Sequence, residues 1–445
     1  MHRSLLKRRP APVHLEPPPG IFDQPLGFMR ALVYEPRVGG HYLNFVALVA
    51  EALADLGAEC HVVLAQNAPE RPDFEEIIAP LAHKVQVHAM APPLRSGNIW
   101  NYAQRNWSAL ATAVRDLEPD RTYLPTADAF VQWIALARLM GRNDILQKTH
   151  VEALLLNGAV AHPGPSWSQR LKRRLAHELA KRGCHTLYHL NPFVRDWERA
   201  RGLPEGQCVR TMPDPVEREA WSKEEARERL GIPRDARIVG MVGGIDRRKG
   251  AHVLIDAFVS AKLGPRDMLM LWGTASQEIR DKVATLAQEP GMRERLLVRD
   301  GRIEADDFHR SISALDLLAL PYTLVSHSSS IVIRAAAAGR PVVTTAGGWA
   351  ERVMEHFELG WTFEGPKAEN LAAILPECLD GARTWTSSAR ARRFVDYNSR
   401  ENFVAHFTEG ICAELGNERP PRLLTWKELL ASSAIGESAV RHPGS

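Results

Sequence analysis

Several signatures that would settle the class of this chain at once are absent. Only five cysteines occur in 445 residues, at Cys60, Cys184, Cys208, Cys378 and Cys412, with no C-x-x-C pair among them. That spacing argues against a zinc site and against a disulfide framework, and fits a reducing, cytoplasmic setting. No apolar run approaches the roughly 20 residues that cross a bilayer. Charge is nearly balanced, 56 basic against 53 acidic residues for a formal +3, so bulk charge gives a nucleic-acid role no support. No strand-like run is followed by G-x-G-x-x-G, which removes the ordinary dinucleotide fingerprint. The first twenty residues, MHRSLLKRRPAPVHLEPPPG, are basic but lack an apolar signal core; they read as a proline-rich disordered tail.

What is present is a long alternation of short apolar runs and helical patterns. Order is expected from about residue 28. Met29–Glu35 (MRALVYE) leads through PRVGGHY into a helical pattern from Leu43 to Leu56, then a strand at Cys60–Ala65. Gly39, Gly40 and His41 occupy the first loop, where a glycine pair serves a tight turn about as well as a ligand. Further strands are expected at Lys84–His88, Arg121–Pro125 and Lys148–Leu156, with helices from about Trp100 to Leu117 and from Phe130 to Met140. Their carboxyl ends carry Arg95-Ser96-Gly97-Asn98, Thr126-Ala127-Asp128, and Asn157-Gly158 followed by His162. In an open parallel sheet such ends converge on one crevice, which makes Asp128 and His162 acceptor-site candidates. A helix N-cap before Phe130 is the plainer role for Asp128, and a solvated loop the plainer setting for His162 in HPGPS.

Ser168–Gly183 (SQRLKRRLAHELAKRG) is a basic amphipathic helix. Leu171, Leu175 and Leu179 recur every four residues, with Arg170, Lys172, Arg173, Arg174, Lys181 and Arg182 around them. It suits peripheral contact with the inner face of an anionic membrane or guidance of an acidic acceptor. A surface helix docked on its own domain through the leucines is the reading favoured by pattern alone. Thr186–His189 and the loop NPFVRDW close this half, and Met212–Arg237, with PDPVE and a short charged helix, has linker composition.

A second β/α series starts at Arg237–Val242 (RIVGMV). It runs into Gly243-Gly244-Ile245-Asp246-Arg247-Arg248-Lys249-Gly250 and a helix over Ala251–Ala261. Glycines that admit a close approach, a helix start and three cations would hold a diphosphate. The stretch the second half is built around is LLALPYTLVSHSSSIVIRAAAAGRPVVTTAGGWAE. It reads as strand Leu315–Leu320, a loop over Thr323–Ser330, a helix to Gly339, strand Pro341–Thr345 and the pair Gly347-Gly348. Ser328, Ser329 and Ser330 at the helix start supply hydroxyls and backbone N–H groups suited to phosphate.

These pieces carry a resemblance. Strand–GG–x–RRKG–helix, the LWG strand end, the DGRI loop, LDLLALPY, AAAAGRPVV and GGWAE run from about Ile238 to Phe363. Their order and spacing resemble the donor-binding domain of GT-B glycosyltransferases, specifically the retaining, nucleotide-sugar-dependent family-four group. The first half is similar more loosely, through strand–GGH–helix and its β/α alternation. The resemblance implies an α/β, GT-B fold of two doubly wound Rossmann-like domains facing across a cleft. The expected division is a tail at 1–27, an acceptor-side domain at 28–212, a linker at 213–236 and a donor domain at 237–399. A helix crossing back at 400–416 and a tail at 417–445 complete it.

By the same resemblance, Lys249 stabilises the leaving diphosphate and Arg247 or Arg248 replaces a family arginine found here as Gly244. Gly243, Gly244, Ser328, Ser329, Ser330, Gly347, Gly348 and Glu351 line the donor pocket, with Gly39 and Gly40 opposite and His162 beside the acceptor. The group usually carries two glutamates, on the donor sugar and the ribose; Ser326 and Arg334 stand in their places. Arg334 would then contact a phosphate or a carboxylate-bearing sugar, or else pair with an acid such as Glu351. The implied function is transfer of a sugar from a nucleotide-diphosphate sugar to a glycan, lipid-linked or small-molecule acceptor, without cofactor or metal. The alternatives are a nucleotide-sugar epimerase and a catalytically degenerate protein that binds a sugar nucleotide or a partner transferase.

Overall fold

In the computed structural model the described residues are 29–92, 99–142, 145–162, 166–202, 209–217, 221–325, 327–414 and 424–434. The expected tails at 1–27 and, apart from 424–434, at 417–445 lie outside them, as do the segment 95–98 and Ser326. The first half runs β1 (Arg30–Glu35), α1 (Gly40–Asp55), β2 (Glu59–Ala65), α2 (Pro72–Ile77), β3 (Gln86–Ala91), α3 (Ile99–Leu117) and β4 (Arg121–Leu124). It continues with α4 (Val131–Leu139), β5 (His150–Leu155), α5 (Trp167–Arg182), β6 (Thr186–His189), α6 (Phe193–Arg199) and β7 (Val209–Thr211). All seven strands are parallel, in the order β3-β2-β1-β4-β5-β6-β7.

The second half runs α7 (Lys223–Leu230), β8 (Arg237–Val242), α8 (Ala251–Ser260), β9 (Asp267–Gly273), α9 (Gln277–Leu286), β10 (Leu296–Asp300), α10 (Ala305–Ser313) and β11 (Leu317–Leu320). Then come α11 (Ser330–Ala337), β12 (Val342–Thr345), α12 (Gly348–Phe357), β13 (Gly360–Phe363), α13 (Ala368–Gly381), α14 (Ala389–Tyr397), α15 (Arg400–Glu414) and α16 (Trp426–Ala434). Its six strands are parallel too, in the order β10-β9-β8-β11-β12-β13. Central strands such as VVTT and LLAL are buried along their whole length because helices cover both faces. In register, Val239 sits between Leu269 and Leu317.

Each sheet therefore has a core on either side. Helices α1 and α15 cover one face of the first sheet, where Phe403, Phe407 and Ile411 of α15 pack with Phe45 and Val49. The chain thus returns to the first domain after finishing the second. The 213–236 stretch is more than a tether. Helix α7 begins at a capping box, Ser222 with Glu225, and is fixed to the second sheet by the buried Arg227. That guanidinium donates to the carbonyls of Ala314, Arg234 and Ala236 and to the Asp316 carboxylate at 2.7 Å. The loop expected at NPFVRDW is instead helix α6.

The two crossings between domains lie side by side. The Asp214 N–H donates to the Asn398 side chain at 2.9 Å, the Val216 N–H donates to the Asn398 carbonyl at 2.9 Å, and Val216 forms a parallel bridge with Ser399. Strand order reverses between β1 and β4 in one sheet and between β8 and β11 in the other. At such switch points the loops part and leave a crevice at the carboxyl ends of the strands. The loops after β1, β4, β8 and β11 are where the candidate residues fall.

Candidate functional site

The turn after β8 is shaped by its backbone. Gly243 has φ +94°, and a methyl group there would sit 3.3 Å from the Phe308 ring and 3.4 Å from Lys249 Nζ. The Lys249 ammonium is thus tucked under the glycine turn, and its amide is held by Asp246 Oδ1 at 2.8 Å. Burial, with the neighbouring Arg248 charge, lowers Lys249 to about 8, against the pull of Asp246. An ammonium half-desolvated in this way is poised to gain from an arriving anion. Gly250 at φ +79° fits because any Cβ would meet the Pro321 carbonyl.

The serine loop lies against this turn. Thr323 donates to the Arg248 carbonyl through its N–H at 3.1 Å and its hydroxyl at 3.1 Å. The turn is thereby tied to the loop that leads into α11. There the N-cap Ser329 does not cap its helix; its hydroxyl pairs with Tyr322 Oη at 2.7 Å. Ser328, Ser329 and Ser330 are all half-buried. A helix start without a side-chain cap, on a loop bonded to the turn that carries Lys249, is a receptive place for phosphate.

Other expected residues fall differently. Arg247 pairs with Glu278 on α9 and is largely exposed, turned from the turn that holds Lys249. Gly348 (φ +68°) and Gly347 (φ +113°) press on the serine loop: a methyl at Gly348 would lie 1.8 Å from the Val325 carbonyl oxygen. The close approach is to the Val325 backbone at Gly348 and to the Val325 side chain at Gly347. Glu351 is half-buried in the first turn of α12. Gly244 has open space around it. Gly39 sits at φ −79° and a Cβ on Gly40 would make only ordinary contacts near Asp73, so neither needs to be glycine for steric reasons.

Asp128 does not cap α4. Its carboxylate accepts from the Leu156 N–H at 3.0 Å and the Asn157 N–H at 2.9 Å, which ties the end of β5 to the end of β4. His162 is buried, with Nε2 2.9 Å from Asn191 Nδ2, and burial together with the charges of Arg352, Arg173 and His327 holds it down at about 4. It is a fixed neutral imidazole. Asn157 bridges to His327 in the serine loop, so loops of the first and second domains touch.

Arg334 is where the two domains meet. Its Nη1 donates to His309 Nε2 at 2.8 Å, and the guanidinium lies over the Phe308 ring. Burial and the Arg334 charge keep His309 neutral, down at about 4. Asp214 is buried close by, raised to about 7 by burial against the opposing pull of Arg334. Arg334, Ser330, Asp214, Glu76, His41 and Asn44 line one interdomain cavity of about 350 Å³. A second cluster went unread in the sequence. Glu35, fully buried at the end of β1, pairs with Arg37 and accepts from the Thr126 hydroxyl, and burial lifts it to about 7. Among the described residues no group of His, Cys, Asp and Glu could hold a metal ion.

Two facing sheets of this topology, joined by a returning helix, define the GT-B architecture. Residues 222–398 match the model of the family "Glycosyl transferases group 1". The D-inositol 3-phosphate glycosyltransferase of Xylanimonas cellulosilytica is 31% identical over 223 residues, 45% of this chain and 49% of that protein. The Mycolicibacterium smegmatis protein of the same name is 29% identical over 184 residues, 40% of each chain. The chain thus spans about half or less of the curated relatives it matches. Among solved structures, Anabaena HepE in complex with UDP and glucose has a TM-score of 0.64 at 20% identity, covering 86% of this chain and 100% of that one. Sucrose-phosphate synthase from Thermosynechococcus elongatus reaches 0.67 at 17% identity, covering 87% and 99%.

Proposed function

We propose that this protein transfers a sugar from a nucleotide-diphosphate sugar to a hydroxyl of a glycan or lipid-linked acceptor, with retention of anomeric configuration. The observation that carries the reading is the union of Lys249, Arg248 and the uncapped start of α11 at the switch point of the second sheet. Breaking the bond between the anomeric carbon and the diphosphate leaves charge on phosphate oxygens. A cation and oriented backbone N–H groups stabilise that charge electrostatically. The acceptor oxygen attacks from the face the diphosphate leaves, and its proton passes to the departing phosphate oxygen, so no protein base is required. The similarity to an inositol-phosphate glycosyltransferase and to a UDP-bound HepE supports a nucleotide-sugar donor. Peripheral contact with the inner face of a membrane belongs to the same reading.

The alternative of a degenerate, sugar-nucleotide-binding protein draws on one observation, that Arg334 is engaged with His309 beside the buried Asp214 where the resembling group carries a carboxylate. Screening the full chain against a panel of nucleotide sugars, by thermal shift and donor hydrolysis, separates the readings. At least one donor is expected both to raise the melting temperature and to be hydrolysed. Stabilisation without turnover would favour the binder, and neither response would overturn both.

A further inference from the structure

Helix α5 does not sit on its domain the way its leucine repeat suggests. Its buried residues are His177 and Ala180, and His177 Nε2 is paired with Glu198 of α6 at 3.0 Å. Leu171 and Leu175, placed four apart, face outward at 39% and 53% exposure, and Trp167, four places earlier on the same stripe, is 70% exposed. Arg170 and Arg174 flank that stripe on one side and Lys172 on the other, all exposed. The one acid on the helix, Glu178, is neutralised by Lys181 at 3.0 Å. An apolar ridge between rows of cations, turned away from the protein, is the reverse of what a soluble surface helix shows.

We infer that α5 docks the protein on an anionic lipid bilayer, with Trp167, Leu171 and Leu175 entering the headgroup boundary and Arg170, Lys172 and Arg174 meeting lipid phosphates. Charge complementarity selects this occupant: a protein partner for an apolar ridge would not need cations on both sides, whereas an anionic interface does. Location gives the contact a purpose. Helix α5 starts beyond the carboxyl end of β5, at the cleft, and Arg173 on its inner side donates to the carbonyls of Ala159 and His162 at 3.3 and 3.2 Å. The docked helix is therefore bonded to the same short loop that carries His162 and follows Asn157. This deepens the proposed function and rests on it for one point only: the acceptor is lipid-linked, its head group presented from the bilayer into the cleft.

The test uses the full chain and flotation with vesicles of phosphatidylcholine, with and without about 30 mol % phosphatidylglycerol. The parent is expected to float with the anionic vesicles at least tenfold more than with the zwitterionic ones. The pairs Leu171→Glu with Leu175→Glu, and Arg170→Glu with Arg174→Glu, should each cut anionic binding at least tenfold. Their melting temperatures should stay at the parental value, because these side chains are exposed. Arg234→Glu, an exposed charge on the other domain, should bind as the parent does. A parent that binds neither vesicle, or paired variants that bind like the parent, overturns the inference. Loss of nucleotide-sugar response with vesicle binding intact would instead refute the proposed chemistry and leave the docking surface standing.

Discussion

At the scale of single residues, Lys249 and Arg334 divide the work of charge. If Lys249 stabilises the leaving diphosphate as proposed, Lys249→Ala should lower kcat by on the order of 100-fold, with the melting temperature little changed. Its lowered value, about 8, adds a pH signature. Above that pH the free protein holds a neutral amine, so UDP affinity should fall by up to about tenfold per unit as pH rises, and Lys249→Arg should flatten the profile. Titrating UDP between about pH 7 and pH 9.5 reads this directly, where the nucleotide phosphates no longer change charge. Arg334→Gln is the cleaner test than a glutamate, because Asp214 is already buried beside it. At pH 6 Asp214 is held protonated, so the variant should melt within about 2 °C of the parent while its UDP dissociation constant rises about tenfold. The sign of the pH effect follows from linkage. A carboxyl whose folded value lies above its unfolded one loses stability as pH rises, and without Arg334 that window extends beyond about 7. A variant that binds UDP like the parent but melts early at every pH would make Arg334 structural.

At the scale of elements, glycines and loops explain what could be read and what could not. Strands such as RIVGMV and LLAL declare themselves because both faces are buried, and the switch-point loops follow from their order. Strand β7, three residues at a sheet edge, is too short to show a period, and Pro376 interrupts the pattern of α13. The leucines of α5 misled for a plain reason: spacing reveals a stripe but not which way it faces. Gly347-Gly348 was legible as a special turn, but its partner, Val325, lies more than twenty residues away and leaves no local trace. The contrast between two glycines tests this. Gly348→Ala should cost about 3 kcal/mol or more, from left-handed strain plus a backbone clash, seen as a lower urea midpoint. Gly244→Ala, with open space around it, should leave stability within about 0.5 kcal/mol, and any loss of donor affinity there reports on the ligand itself. The pairings that make the site, His309 with Arg334, Asp214 beside it and Asn157 with His327, join distant segments with no signature of their own.

At the scale of the molecule, the domains are held at the cleft rim by charge. Arg302 of the second domain reaches Asp73 at 2.8 Å and Glu76 at 2.5 Å on α2 of the first. Exposed pairs of this kind contribute at most about 1 kcal/mol each, enough to bias an opening equilibrium a few-fold without deciding the fold. Arg302→Glu places like charges at that rim. It should widen the unliganded particle in small-angle scattering and raise the UDP dissociation constant about threefold to tenfold, with the melting temperature nearly constant. Identical scattering curves would show that the rim contacts do not govern opening.

The paired crossings set how such opening can proceed. Because Asp214 and Val216 are bonded to Asn398, and Val216 is bridged to Ser399, the two connecting segments cannot bend independently. The two connections between the domains thus form one two-ply strap. Arg227, locked on four partners just downstream, marks where the rigid arm on the donor side begins. Asp214 lies in this strap and also beside Arg334, so an anion binding at that guanidinium would change the charge at the strap itself.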